Sequence, residues 1–182
     1  MELRDAILGL LSWKPAAGYD LKRIISASEV FYWSGNNNQI YKSLLELQKE
    51  GLVTCQVQLQ ESLPARKIYS ITAEGLDALR QSLLAAPAAP ERHNSFLIQL
   101  AWAELLPDEA VLSLLEQYAQ EVAVRLQMVQ AQAARPGSRP NRSPRETYLW
   151  QRIAGNLVSS YQAELDWARQ TQQALQEKNF GA

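Results

Sequence analysis

Asn38, Gln39 and Lys42 fall within little more than one helical turn, and their chemistry suits reading a surface rather than breaking a bond. Amide side chains donate and accept together, so Asn and Gln can make paired hydrogen bonds to an adenine edge; an ammonium meets phosphate or guanine. Tyr41 stands beside them, one residue off the apolar stripe of the same stretch. It is either plain core or packs with its hydroxyl outward. A basic pair, Arg66 and Lys67, follows near an expected hairpin tip, within reach of a duplex backbone or minor groove, with Glu61 at the tip opposing it. Nothing comparable suits catalysis. His93 and Cys55 are the only residues of their kinds, which leaves no metal cluster, and no glycine-rich phosphate loop or paired-carboxylate motif occurs. The chain is therefore expected to be no enzyme and to need no cofactor.

The elements that must carry these groups are legible around Asn36 to Val53. Ile40, Leu44 and Leu47 recur at helical spacing and turn one face inward. Asn36 or Asn37 offers an N-cap oxygen, and Gly51 is placed to stop the helix in the left-handed conformation, with Leu52 packing back on Leu47. Val53 to Gln60 then alternates apolar and polar residues, with Val53, Cys55, Val57 and Leu59 inward, as a half-buried strand does. Cys55 is expected to be a small core residue. Residues 61–65 break the pattern, Arg66 to Ile71 returns as a second strand, and Thr72 caps a further helix with Leu76, Leu79 and Leu83 on one face. Upstream, Leu3, Ala6, Ile7, Leu10 and Leu11 make one helix, ended at Lys14-Pro15. Leu21, Ile24 and Ile25 make another, with Asp20, Lys22 and Arg23 outward. Residues 29–33 join it to the first-described helix as an aromatic cover. Helix, helix, turn, helix, two-stranded wing, helix is the layout of a winged helix-turn-helix. The plainer reading is an α/β unit whose polar helix face is merely solvated.

Charge argues against indiscriminate nucleic-acid binding. The net charge is −1, and residues 1–85 balance nine Lys and Arg against nine Asp and Glu. Phosphate contact normally needs a positive surface, so any such surface must come from placement. Glu2 and Asp5 within the first apolar pattern argue against a signal peptide, and no apolar run reaches membrane-spanning length. A cytoplasmic location, with no membrane partner, is expected.

The small, proline-interrupted stretch 85–90 divides the chain into residues 1–86 and 87–182. The second part reads as helical throughout: Ser95 to Leu106, then a long helix from Pro107-Asp108-Glu109, with proline in the first turn and Val111, Leu115, Tyr118, Val122, Leu126 and Val129 recurring. A loop around Arg135, Arg139, Arg142 and Arg145 follows; these arginines either touch DNA or a partner or are simply solvated. Ser143, Pro144 and Glu146 spell a complete capping box for the last helix. Its Leu149, Ile153, Leu157, Tyr161 and Leu165 share a face that Trp150 widens beyond what one partner helix covers. A second copy of the chain is the economical partner for these residues.

The blocks GLLSWKPAAGYDLKRI, NQIYKSLLELQKEGLV and RKIYSITAEGLDAL, in this order, resemble the N-terminal domain of PadR-type bacterial transcriptional regulators. The spelling NNNQIY and TCQVQLQESLPARKIYSIT is closer still to the virulence-activator (AphA-like) branch. The resemblance implies a homodimer that binds double-stranded DNA through two winged helices, a C-terminal helical dimerisation domain, a phosphate contact for the Tyr41 hydroxyl, and no enzymatic activity. Two functions stay open. One is a dimeric regulator reading a pseudo-palindromic promoter site. The other is a small-molecule-sensing or protein-interaction regulator with weak or lost DNA binding, its effector held among Trp102, Trp150 and Trp167 at a dimer interface.

Overall fold

The computed structural model describes residues 2–28, 38–58, 65–90, 93–135 and 142–178. The Asn36 or Asn37 cap, the aromatic connection 29–33, the hairpin tip with Glu61, Leu59 and Arg139 lie outside those residues. The chain divides into two compact units, Met1–Ala89 and Pro90–Ala182.

The first unit opens with α1, Leu3–Leu11, whose Asp5 carboxylate turns back to accept the Glu2 backbone N–H at 2.8 Å. Pro15 ends helical propagation and leaves Ala16–Ala17 extended as β1, followed directly by α2, Gly18–Ser26. Then come α3, Asn38–Lys49; β2, Val53–Gln58; β3, Arg66–Ile71; and α4, Ala73–Leu83. The sheet is antiparallel in the order β1-β3-β2, with Ala16 and Cys55 both opposite Tyr69 and Gln58 opposite Arg66. The expected two-stranded wing thus carries a third strand at its base. Two alanines give no periodicity to read, so only β3's free edge explains why they pair.

Ile40, Leu44 and Leu47 are buried with Ile7, Leu21 and Ile25, so the stripe of α3 faces the core as its spacing predicts. Fully burying one such side chain contributes roughly 1.5–3 kcal/mol, enough to fix the rotation of the helix. Gly51 has φ +76°; its N–H donates to Gln48 O at 3.1 Å and the Leu52 N–H to Leu47 O at 2.9 Å, a complete Schellman stop. Two apolar residues depart from expectation. Val57 is 59% exposed and Leu83 60% exposed, because the outer half of the hairpin and the last turn of α4 extend past the core. Val53 is buried and Cys55 only partly so, which shows burial fading along β2.

In the second unit α5, Ser95–Ala101, and a 3-10 turn, Ala103–Leu105, precede two long helices, α6, Asp108–Ala134, and α7, Pro144–Gln176. Pro107 is the N-cap of α6 rather than a first-turn residue, and Asp108 and Glu109 hold the first turn. Ser143 Oγ accepts the Glu146 N–H at 3.1 Å, as expected of a cap. The Glu146 carboxylate, however, reaches one residue further back, to the Arg142 N–H at 2.9 Å and its guanidinium at 2.6 Å. That pairing holds the Glu146 carboxyl below its usual range.

α6 and α7 close into an antiparallel hairpin around Ala119, Val122, Leu126, Leu165 and Ala168. α5 is fastened to it by Asn94, whose Oδ1 accepts the Phe96 N–H at 3.0 Å while its Nδ2 donates to the Tyr118 hydroxyl at 2.7 Å. Tyr118 donates in turn to Glu164 Oε1 at 2.6 Å, and Phe96 stacks on its ring at 3.9 Å. Burial first, and the bond to Glu164 second, push the Tyr118 hydroxyl up to about 12.

A Cβ added at Gly75 would lie 2.0 Å from Leu52 O and 2.9 Å from the Ile71 side chain. Gly75→Ala should therefore cost about 1–3 kcal/mol or more as overpacking against backbone, read as a lowered urea midpoint for unit one; an unchanged midpoint would contradict the geometry. For Tyr118 the folded value lies above the ordinary 10, so its contribution is complete below pH 10 and is lost as pH rises towards about 12. Spectrophotometric titration of native protein should show one tyrosine ionising near the top of that window, absent in Tyr118→Phe.

Candidate nucleic-acid interface

The outer face of α3 presents Gln39, Lys42, Ser43 and Glu46, all at least partly exposed, opposite the buried stripe. With Glu2 at the N-cap and Leu3 and Arg4 in the first turn of α1 they line an open recess of about 440 Å³. Asn38 opens the helix, but its side chain is outside the described set. Lys42 Nζ lies 3.9 Å from Glu46, one turn along the same face. The Arg4 guanidinium pairs with Glu50 just past the helix end.

Tyr41 is packed on one side only. Its ring edge packs on Gly18, where a Cβ would come within 2.7 Å, yet the residue remains 44% exposed. Gly18 therefore lets the start of α2 approach the Tyr41 ring and Leu44 of α3. Tyr69, buried in the sheet between Ala16 and Cys55, has its hydroxyl pushed up mainly by that burial.

Arg66 is the first residue of β3, and its guanidinium is ion-paired with Asp20 of α2. Arg23 approaches the same carboxylate at 3.6 Å. Lys67, the next residue of the strand, is exposed and has no acid partner among the described residues. Two of the candidate contacts, Lys42 and Arg66, are thus already engaged with acids. Asp20 and Glu46 are the acids that engage them, and Arg23 shares Asp20 with Arg66. The Asp20–Arg23 spacing was visible; the link from Asp20 to Arg66, across 46 positions, was not.

The proposed self-association residues do not share one environment. Leu149 is 49% and Ile153 37% exposed on α7, while Trp150, Leu157 and Tyr161 are half-buried. Leu165 is 4% exposed because it packs inside the hairpin against α6, so it is not available to a partner. Exposed apolar residues that the periodicity did not single out stand on the same unit, among them Ile98 and Leu105. The three tryptophans proposed for an effector differ as well: Trp167 is set edge-on to Phe96 and Tyr118, Trp150 is half-buried, and Trp102 is largely exposed. Of the arginine cluster, Arg142 is held by Glu146, and Arg135 and Arg145 are exposed. His93 is exposed, no metal-holding group of side chains occurs among the described residues, and no described helix is long and apolar enough to cross a membrane.

Residues 7–81 match the transcriptional regulator PadR-like family, and residues 93–176 match the virulence activator alpha C-terminal family. The negative transcriptional regulator PadR of Bacillus subtilis (strain 168) is 27% identical over 129 residues, which span 70% of this chain and 71% of that protein. The fold matches Bacillus subtilis PadR in complex with operator DNA at a TM-score of 0.80, with 21% identity over 95% of this chain and 98% of that one. The Vibrio cholerae virulence activator AphA matches at a TM-score of 0.69, with 25% identity over 97% and 99% of the two chains. These relatives are regulators of transcription and not enzymes. With a PadR-like half followed by a virulence-activator half, the chain belongs to the PadR-type family of transcriptional regulators, in its AphA-like branch.

Proposed function

We propose that this chain regulates transcription as a homodimer that binds double-stranded DNA at a pseudo-palindromic promoter site. The observation that carries the reading is the division of α3: Ile40, Leu44 and Leu47 lock one face into the core, which leaves Gln39 and Lys42 on the other. In this reading Gln39 and Asn38 read base edges, Lys42 and the Tyr41 hydroxyl meet phosphate, and Arg66 and Lys67 follow the backbone from the wing. The Bacillus subtilis relative is solved on operator DNA, which supports the same use of the fold here. Self-association runs through the apolar residues left exposed on the helical unit, with Leu149 and Ile153 at the centre and Trp150, Leu157 and Tyr161 at the margin. Residues 1–86 act as the reading domain and 87–182 as the pairing domain. An effector pocket built from Trp102, Trp150 and Trp167 has less support, since Trp167 is already taken up in the Phe96–Tyr118 stack.

Gln39→Ala should lower affinity for the promoter site by about 1–3 kcal/mol and narrow its margin over unrelated duplex. Lys67→Ala should weaken both duplexes alike and reduce the salt slope by about one. Binding titrations at several salt concentrations separate the two; equal losses on both duplexes for Gln39→Ala would refute base reading by that residue. Ile153→Asp should give a folded monomer by light scattering, with at least about a hundredfold loss on the full site because avidity is gone. A variant that stays dimeric with unchanged affinity would refute the pairing surface.

A further inference from the structure

We infer that Asp20 and Glu46 are affinity-limiting carboxylates, which hold the cations of the reading surface in internal pairs and so cap the sequence-independent grip of the protein on any duplex. The inference rests on the DNA-binding reading. Residues 1–85 carry no net charge, a poor starting point for a duplex binder. The balance is not reached by moving acids to a remote face. Asp20 stands between Arg23 and Arg66 and takes both, and Glu46 lies one turn from Lys42 beside Gln39 and Ser43 in the same recess.

Neither acid is explained by stability. The exposed Lys42–Glu46 pair contributes little to folding, and Asp20, although partly buried, is paired with two arginines that remain exposed. The Lys42–Glu46 order is also the less favourable one for a helix, which gains more from Glu preceding Lys at this spacing. Asp20 does suit the first turn of α2, but a first-turn acid needs no arginine from a strand 46 residues away. A phosphate approaching Arg23, Arg66 or Lys42 meets the carboxylate already there. The penalty falls on every duplex alike, because it acts on phosphate and not on base edges. Reading by α3 and pairing of two chains must then supply the rest of the affinity.

The test uses the full chain with Asp20→Asn and Glu46→Gln, titrated on a duplex from its own promoter region and on an unrelated duplex. Each variant should tighten both by about threefold at low salt, the effect of one unit charge roughly 6 Å away in water, and leave their ratio unchanged. The gain should shrink as salt rises, since screening shortens the reach of the charge. A purely structural tether predicts the opposite sign for Asp20→Asn, because a loosened Arg66 would weaken binding. Unchanged or weaker binding to the unrelated duplex in either variant overturns the inference for that carboxylate, while the wild-type preference for its promoter leaves the DNA-binding reading intact. A wild type that binds neither duplex at low salt defeats both.

Discussion

The geometry of the reading surface depends on one backbone carbonyl, that of Leu52. Gly51 turns left-handed to end α3, and Leu52 then leaves at an angle fixed by its N–H bond to Leu47 O. Its carbonyl accepts the Thr72 N–H at 3.0 Å, where the wing returns to the body of the domain. Thr72 Oγ1 donates to Gly51 O at 2.8 Å and accepts the Gly75 N–H at 3.0 Å, so one hydroxyl joins the end of α3 to the start of α4. Gly75 has no side chain because Leu52 O occupies the place a Cβ would take. The G-L-V block and the T-x-x-G block, separate in the sequence, are two halves of one contact. Both ends of the hairpin are thereby tied to the helix that presents Gln39 and Lys42.

Local chemistry was readable wherever it repeats within a few residues. The stripe of α3, the Gly51 stop, the Thr72 cap and the Ser143-Pro144 start all appear in the structure as their spacing predicts. What escaped was set by partners distant in sequence. Ala16 and Ala17 form a strand only because β3 has a free edge, and Leu83 and Val57 look like core residues until the extent of the core is known. Leu165 shares helical spacing with Leu149 and Ile153, yet α7 turns it towards α6 along a helix of 33 residues. Over such a length a stripe drifts around the helix, so one face cannot be read from end to end. At the interface, residue types were visible and pairings were not. Arg66 reads as a free wing cation in sequence and is tied to Asp20 in the fold.

Charge, pairing and reading form a single physical account. A reading domain without net charge, its cations partly held by its own acids, has little general attraction for a polyanion. On the proposed reading a single copy is thus a weak binder. Linking two copies turns the second contact into an intramolecular one, with effective concentrations that reach about millimolar for short links. In the proposed dimer the long hairpin of α6 and α7, with Asn94 holding α5 to Tyr118 and Glu164, gives such a link rigidity. In the proposed dimer, occupancy then depends on two correctly spaced half-sites rather than on charge.

The most direct measurement of this account is a footprint of the full chain on its own upstream promoter region, with stoichiometry read on the same duplex. A dimer that reads DNA in this way should protect two inverted half-sites about one helical turn apart, roughly 34 Å, with two chains bound per duplex. A single asymmetric patch held by one chain, or uniform protection without a preferred site, would contradict it.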